Sequence, residues 1–367
     1  MIKFLISAVM MSLAWSLRGQ FGHLKGAMIP GAAAAAAIAL LSVSEKWRAP
    51  LGLALILSPL GFSAGGHMSY GRLIETLLAN PSLSSSLPEL FHIFAIGAVW
   101  GGLGLSFLGF ALAENSFRRQ DGFLLSILFL IGWVVLGIFN REESDLPLFA
   151  AGLFAIHLYN GLVKKSGVLF LFGVAGILGF GGGFLLAVLI LYAGNHGAFG
   201  TGWPWWSLRD QILGFAGGLA LWQACRRAEA LHLEPAYSPR SARGPRAGLL
   251  FYTILIPALS TFNVLRHWWG AGDFAIFRLI HAAMAVLAVI FFSLVALVFV
   301  RLSEDCFLEP HRKKVLLFST LFWIWYLSLA AIAKETVPRG FSHWEAAYLF
   351  FLLDSIFLTL VLPFYVF

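Results

Sequence analysis

Two arginines in this chain sit in the same six-residue pattern, Trp15-Ser16-Leu17-Arg18-Gly19-Gln20 and Trp206-Ser207-Leu208-Arg209-Asp210-Gln211. A guanidinium presents a planar fork of donors that grips a carboxylate or phosphate through two parallel hydrogen bonds, and an amide two positions on can bind the same group. Indole faces cover the apolar side of a sugar or hold a cation. Similar residue types recur in other stretches expected on the same side of the molecule: His67 with Tyr70 and Arg72, His196 through Trp203 and Trp205, Arg266-His267-Trp268-Trp269, and Lys334 to Trp344. The chemistry they fit is recognition of a small organic anion such as an acidic sugar. The candidate binding residues are Arg18, Gln20, His67, Arg72, Trp203, Trp206, Arg209, Gln211, Arg266, His267 and Trp268. Tryptophan and arginine at span ends also form the interfacial belt of membrane proteins, so the repetition of the whole string is what raises these residues above that background.

Three ionisable residues fall inside apolar stretches, Arg278, His281 and Asp354. A charge at bilayer depth costs several kcal/mol and persists through pairing or function. Counted from the expected outer side, Arg278 and Asp354 lie at similar depths, about one to two turns in. An ion pair between them, with His281 a turn away, is expected to latch, gate or couple.

An enzyme is the alternative. His196 as base and Asp210 as orienting carboxylate could activate a hydroxyl or amine in a membrane-embedded transferase acting on a periplasmic or lipid-linked sugar. The stretch from His196 through Gly202-Trp203 to Asp210 resembles the luminal histidine region of transmembrane glucosamine acetyltransferases over about 15 residues, with different spacing. No serine elbow, phosphate loop or paired catalytic carboxylates are present, and no cofactor is implied. Seven of the ten histidines are expected in the outer half, yet none has the helical pair spacing of a zinc site.

The elements that must carry these residues follow from composition. With 59% apolar and 12% charged residues and a mean hydropathy of +0.84, most of the chain belongs in lipid. About twelve stretches approach the ~20 apolar residues that cross a bilayer. They cover 2–17, 27–43, 51–70, 90–113, 123–139, 146–163, 167–193, 211–225, 247–265, 273–300, 315–333 and 346–366. Continuous apolar runs satisfy their backbone as helices, so the expected fold is an all-α polytopic membrane bundle. The first stretch imitates a signal peptide but lacks a clean small-x-small site before Arg18, and is expected to be retained.

Each copy of the Trp-Ser-Leu-Arg string precedes an apolar span, and those two spans are six apart. Ile56-Leu57-Ser58-Pro59 and Ile254-Leu255-Ile256-Pro257 stand at a similar offset. Two six-helix halves, 1–165 and 166–367, related as a parallel repeat are expected. At this coarse level the plan resembles the major facilitator superfamily, which implies a substrate held between the halves near mid-membrane. The loop at 42–50 lacks that family's glycine, aspartate and arginine signature, and the longest cytoplasmic loop, 226–247, joins spans eight and nine rather than six and seven.

Lysine and arginine set the orientation. With the N-terminus inside, the cytoplasmic side receives about twice the basic residues of the outer side, so both termini are expected in the cytoplasm and the protein in an inner (cytoplasmic) membrane. The formal charge of +7 is concentrated in such loops, including Arg240, Arg243 and Arg246, and fits contact with anionic lipid rather than nucleic acid. Cys225 and Cys306 fall near the reducing face, and no disulfide is expected. Glycine-rich places near Pro30, Gly65, Gly101, Gly181 and Gly214 fit close helix packing; the other reading is that Pro30 and the glycines near Gly65 and Gly181 interrupt helices, whose free N–H groups meet an anion.

Overall fold

In a computed structural model the described residues are 2–42, 45–47, 50–68, 70–80, 82–113, 127, 145–197, 203–233, 248, 251–270, 310–339 and 346–366. They form helices α1 (Ile2–Phe21), α2 (His23–Leu41), α3 (Leu51–Gly65), α4 (Gly71–Ala79), α5 (Leu87–Leu112), α6 (Leu146–Tyr159), α7 (Gly167–Asn195), α8 (Trp205–Ala230), α9 (Ile256–Gly270), α10 (Pro310–Arg339) and α11 (Ala346–Val366). Among the described residues there is no strand. Among the described residues, six helical stretches are long and apolar enough to cross a membrane: Ile2–Phe21, Ser84–Leu112, Leu146–Lys164, Gly167–Asn195, Leu316–Lys334 and Tyr348–Tyr365. The chain is therefore an all-helical, multi-pass membrane protein. The expected spans at 123–139 and 273–300 lie outside the described residues, Ile127 excepted.

Helices α1, α2, α3, α5, α7 and α8 pack in cyclic order, each extensively against the next and α8 back against α1. The boundary at 165/166 thus falls within the sequence of one packed ring. Outside it, α9, α10 and α11 cover α1 and α2. This makes α2 a helix buried on every side, and its centre is the run Ala32–Ala37, at most 1% exposed. Side chains of one methyl group let neighbouring backbones approach from all directions, where apolar attraction alone gives no advantage over lipid.

Pro30 removes one backbone donor from α2 without ending it, and α5, α7 and α8 run unbroken through Gly101–Gly104, Gly179–Gly183 and Gly214–Gly218. The glycines are packing sites instead. A Cβ on Gly31 would strike the backbone of Ser58 and Pro59, one on Gly176 the backbone of Gly101, and one on Gly218 the backbone of Ser7. The alternative of helices broken at Pro30 and Gly181 is thereby corrected, since both helices continue through these positions, whereas α3 does end at Gly65.

Pairing between α1 and α8 fixes their direction. Ser7 Oγ donates to the Gly218 carbonyl at 2.9 Å and Ser12 Oγ to the Gln211 carbonyl at 3.0 Å. Each step up α1 is a step down α8, so the two are antiparallel. The repeated strings accordingly occupy opposite helix ends, Trp15 to Arg18 near the C-terminus of α1 and Trp206 to Arg209 in the first turns of α8. They share one place in space without being equivalent positions, and so lend no support to equating two halves. At the other end, Lys3 Nζ donates to the terminal Leu41 carbonyl of α2 at 2.9 Å, satisfying a group at the negative end of that helix.

Two glycines of α7 separate packing from propensity. Gly176→Leu is expected to destabilise the detergent-purified protein by about 1–3 kcal/mol or to prevent its folding, because the side chain meets backbone. Gly182 has nothing within 4 Å of its would-be Cβ, so Gly182→Leu should leave the melting temperature unchanged or raised. Thermal unfolding of the two variants checks the contrast.

Candidate functional site

A cavity of about 630 Å³ opens where the C-terminus of α1, the N-termini of α4 and α8, and α11 converge. Its lining includes Arg18, Gln20, His67, Tyr70, Glu75, Trp206, Arg209, Asp210 and Phe351. Of the expected binding residues, Arg18, Gln20, His67, Trp206 and Arg209 come together here.

Beneath the cavity lies an aromatic cluster. The Trp15 and Trp100 rings meet edge to face at 5.0 Å, Trp15 is 5.2 Å from Phe180, and Tyr70 meets Phe184 edge to face at 5.1 Å. Trp100 is fixed by an indole N–H bond to the Phe62 carbonyl at 2.7 Å. Gly65 and Gly104 admit this cluster, since a Cβ there would collide with Trp100 and Phe62 respectively.

The guanidinium of Arg18, only 2% exposed, rests on that platform, 4.5 Å from the Trp100 centroid and 5.5 Å from Trp15. It donates through Nη2 to the Tyr70 hydroxyl at 2.8 Å. Arg209, 5% exposed, lies 4.7 Å from the Trp206 centroid and 5.5 Å from Tyr70. Both arginines therefore share Tyr70: each guanidinium lies by its ring, and Arg18 donates to its hydroxyl. Ring quadrupoles stabilise such cations by about 0.5–2 kcal/mol each, which offsets part of the cost of taking them out of water.

Arg209 also carries its own counter-ion. Its Nε and Nη2 both donate to Asp210 Oδ1, at 3.0 and 2.6 Å. The other carboxylate oxygen lies against Gly19, whose would-be Cβ would sit 3.1 Å from it. The variable position of the string is thus glycine in one copy and aspartate in the other, and the two pack together. Nη1 of Arg209 is buried without a hydrogen-bond partner among the described residues.

Gln211 turns away from the cavity. Its side-chain carbonyl accepts from Ser12, and its amide faces the carboxyl of Asp354 on α11. Asp354 Oδ2 is buried without a hydrogen-bond partner among the described residues, one turn beyond Phe351 of the cavity wall. The expected partner Arg278, and His281, lie outside the described residues. Lys334 of α10 donates to the Gln20 carbonyl at 2.8 Å, joining the outer helices to the end of α1.

The remaining candidates lie elsewhere or are only partly described. Arg72 is exposed on α4 and Trp203 is 58% exposed, and neither lines the cavity. Trp205 stacks against Gly194. Arg266, His267, Trp268 and Trp269 belong to α9, with side chains outside the described residues. His196 is exposed, stacks on Tyr192 with centroids 4.1 Å apart, and bonds the Tyr192 carbonyl at 2.9 Å. It does not line the cavity that contains Asp210. Among the described residues no group of three or more metal-ligating side chains converges.

Sequence reasoning left out Tyr70, Trp100, Glu75 and Phe351 as site residues. Tyr70 stood beside two candidates, whereas Trp100 sits alone in an apolar span and gave no signal. Asp210→Asn is expected to cost about 3 kcal/mol of stability, because it leaves the Arg209 charge buried without its counter-ion. Tyr70→Phe should cost about 1.5–3 kcal/mol, losing the bond to Arg18 but retaining both ring contacts. Chemical unfolding of the two purified variants tests that order. In comparisons with family models, curated proteins and solved structures, nothing matches the chain.

Proposed function

We propose that this chain is a twelve-span secondary transporter of an inner (cytoplasmic) membrane that binds a small organic anion from the outer side. The observation that carries the reading is the meeting of two buried arginines from sequence-distant strings at Tyr70, in a cavity of ligand size. A cation held near lipid depth by aromatic faces and one carboxylate is a functional feature by default. Orientation rests on the basic helix ends opposite the cavity: Lys3 at the start of α1, Arg226 and Arg227 at the end of α8, and Lys313 and Lys314 at the start of α10.

In this reading Arg18 and Arg209 clamp the anion, Gln20, His67 and Trp206 shape its surroundings, and Arg72, Trp203, Arg266, His267 and Trp268 line its approach. Asp354, one turn beyond Phe351 of the cavity wall, gates or couples, with Arg278 and His281 as its further partners. Alternating access by rocking 1–165 against 166–367 would have to part α7 from α5 and α8 from α1, along interfaces rich in glycine. The transferase alternative needs His196 beside Asp210. Asp210 is held by Arg209 and His196 leans on Tyr192, so the transport reading is preferred.

Thermal stabilisation of the purified protein across sugar acids, amino acids, phosphorylated sugars, acyl donors and lipid-linked sugars is the direct test. A ligand at 100 times its dissociation constant should add about 2.7 kcal/mol. Stabilisation by a soluble organic anion that is lost in Arg209→Ala supports the proposal, while stabilisation confined to acyl donors or lipid-linked sugars overturns it in favour of the transferase. Orientation has its own check. A membrane-impermeant maleimide should label Thr76→Cys in intact cells and Arg226→Cys only after permeabilisation, and the reverse pattern would invert the topology.

A further inference from the structure

The charges lining the cavity are not those of a simple anion trap. Arg18 and Arg209 are opposed by Asp210 and Glu75, so the four formal charges cancel. A ligand carrying only negative charge would gain the two guanidiniums and meet two carboxylates in the same enclosed space, where like charges are poorly screened. A ligand with both signs meets a complement at each end.

The positive end of such a ligand is best matched by Glu75. Ammonium groups often settle on aromatic faces. Here the faces of Trp100, Tyr70 and Trp206 already carry the protein's own guanidiniums. Asp210 Oδ1 already accepts two bonds from Arg209. Glu75, exposed on α4 at the cavity wall, is the second carboxylate of the lining, and the carboxylate that Arg209 pairs with is Asp210. The negative end has a donor waiting: Nη1 of the buried Arg209, without a hydrogen-bond partner among the described residues.

We infer that the ligand is a zwitterion, an amino acid or amino-bearing organic acid, whose carboxylate binds Arg209 and Arg18 and whose ammonium binds Glu75. The inference deepens the anion-binding reading and rests on it.

Matched probes test it on the full chain in detergent: alanine against propionate, phenylalanine against 3-phenylpropionate, glutamate against glutarate, followed by thermal shift and titration calorimetry. At least one amine-bearing member should bind tenfold or more tightly than its amine-free partner. In Glu75→Gln that ratio should fall to within twofold while the amine-free acid binds as before, and in Arg209→Gln both should be lost. Amine-free acids binding as well as their partners, or Glu75→Gln weakening both members equally, would overturn the zwitterion and leave the anion site standing. Binding of no carboxylate at all would remove both. Glu75 is exposed on a short helix, so a folded Glu75→Gln, verified by an unchanged melting temperature without ligand, keeps these outcomes separable.

Discussion

Burying a guanidinium near lipid is the constraint around which this molecule is arranged. An isolated charge there is untenable, and the chain answers with stacked aromatic rings, one tyrosine hydroxyl and one adjacent carboxylate. Arg18 needs the Trp15 and Trp100 platform, and that platform needs room. Gly65 and Gly104 supply it by leaving space for Trp100 and Phe62. The polar end of the bundle thus dictates small residues well inside the apolar part.

The same dependence runs along the helix pairs. In lipid, helices gain nothing from burying apolar surface against each other, so contact must come from close backbone approach and hydrogen bonds. The α1 and α8 pair uses both, with Gly214 and Gly218 seated on α1 and the Ser7 and Ser12 hydroxyls bonded to α8. This seam sets the height at which Arg18 and Arg209 arrive. A slip of one turn, about 5.4 Å, would part Gly19 from Asp210 and move the arginines off their common tyrosine.

Much of this was legible in sequence, and the reasons differ by feature. Helical class and the multi-pass character follow from hydropathy, because backbone satisfaction in lipid leaves few choices. Arg18, Gln20, His67, Trp206 and Arg209 were legible because polar and charged groups beside apolar spans are costly and therefore informative. Gln211 shared the string but faces Ser12 and Asp354, since the helical period carries residue i+2 about 200° round from residue i. Trp100 and Phe351 were illegible, as an aromatic residue in an apolar span has no signature that separates cavity wall from lipid contact. Repetition of the string was legible as a pattern but misleading as to place. One copy ends a helix, the other begins one, and what they have in common is a destination.

The ion pair of Arg209 with Asp210 joins neighbours on one helix, whereas Arg18 belongs to another. Any separation of α1 from α8 would carry the pair away intact and leave Arg18 behind with its tryptophans. Neither the bonds of Arg209 to Asp210 nor that of Arg18 to Tyr70 crosses from α1 to α8. What would vanish is chelation: a ligand gripped by two arms at once would be left with one, and the high local concentration that each arm confers on the other would go with it. On the transport reading proposed above, release would then follow from geometry alone, with neither buried charge left bare.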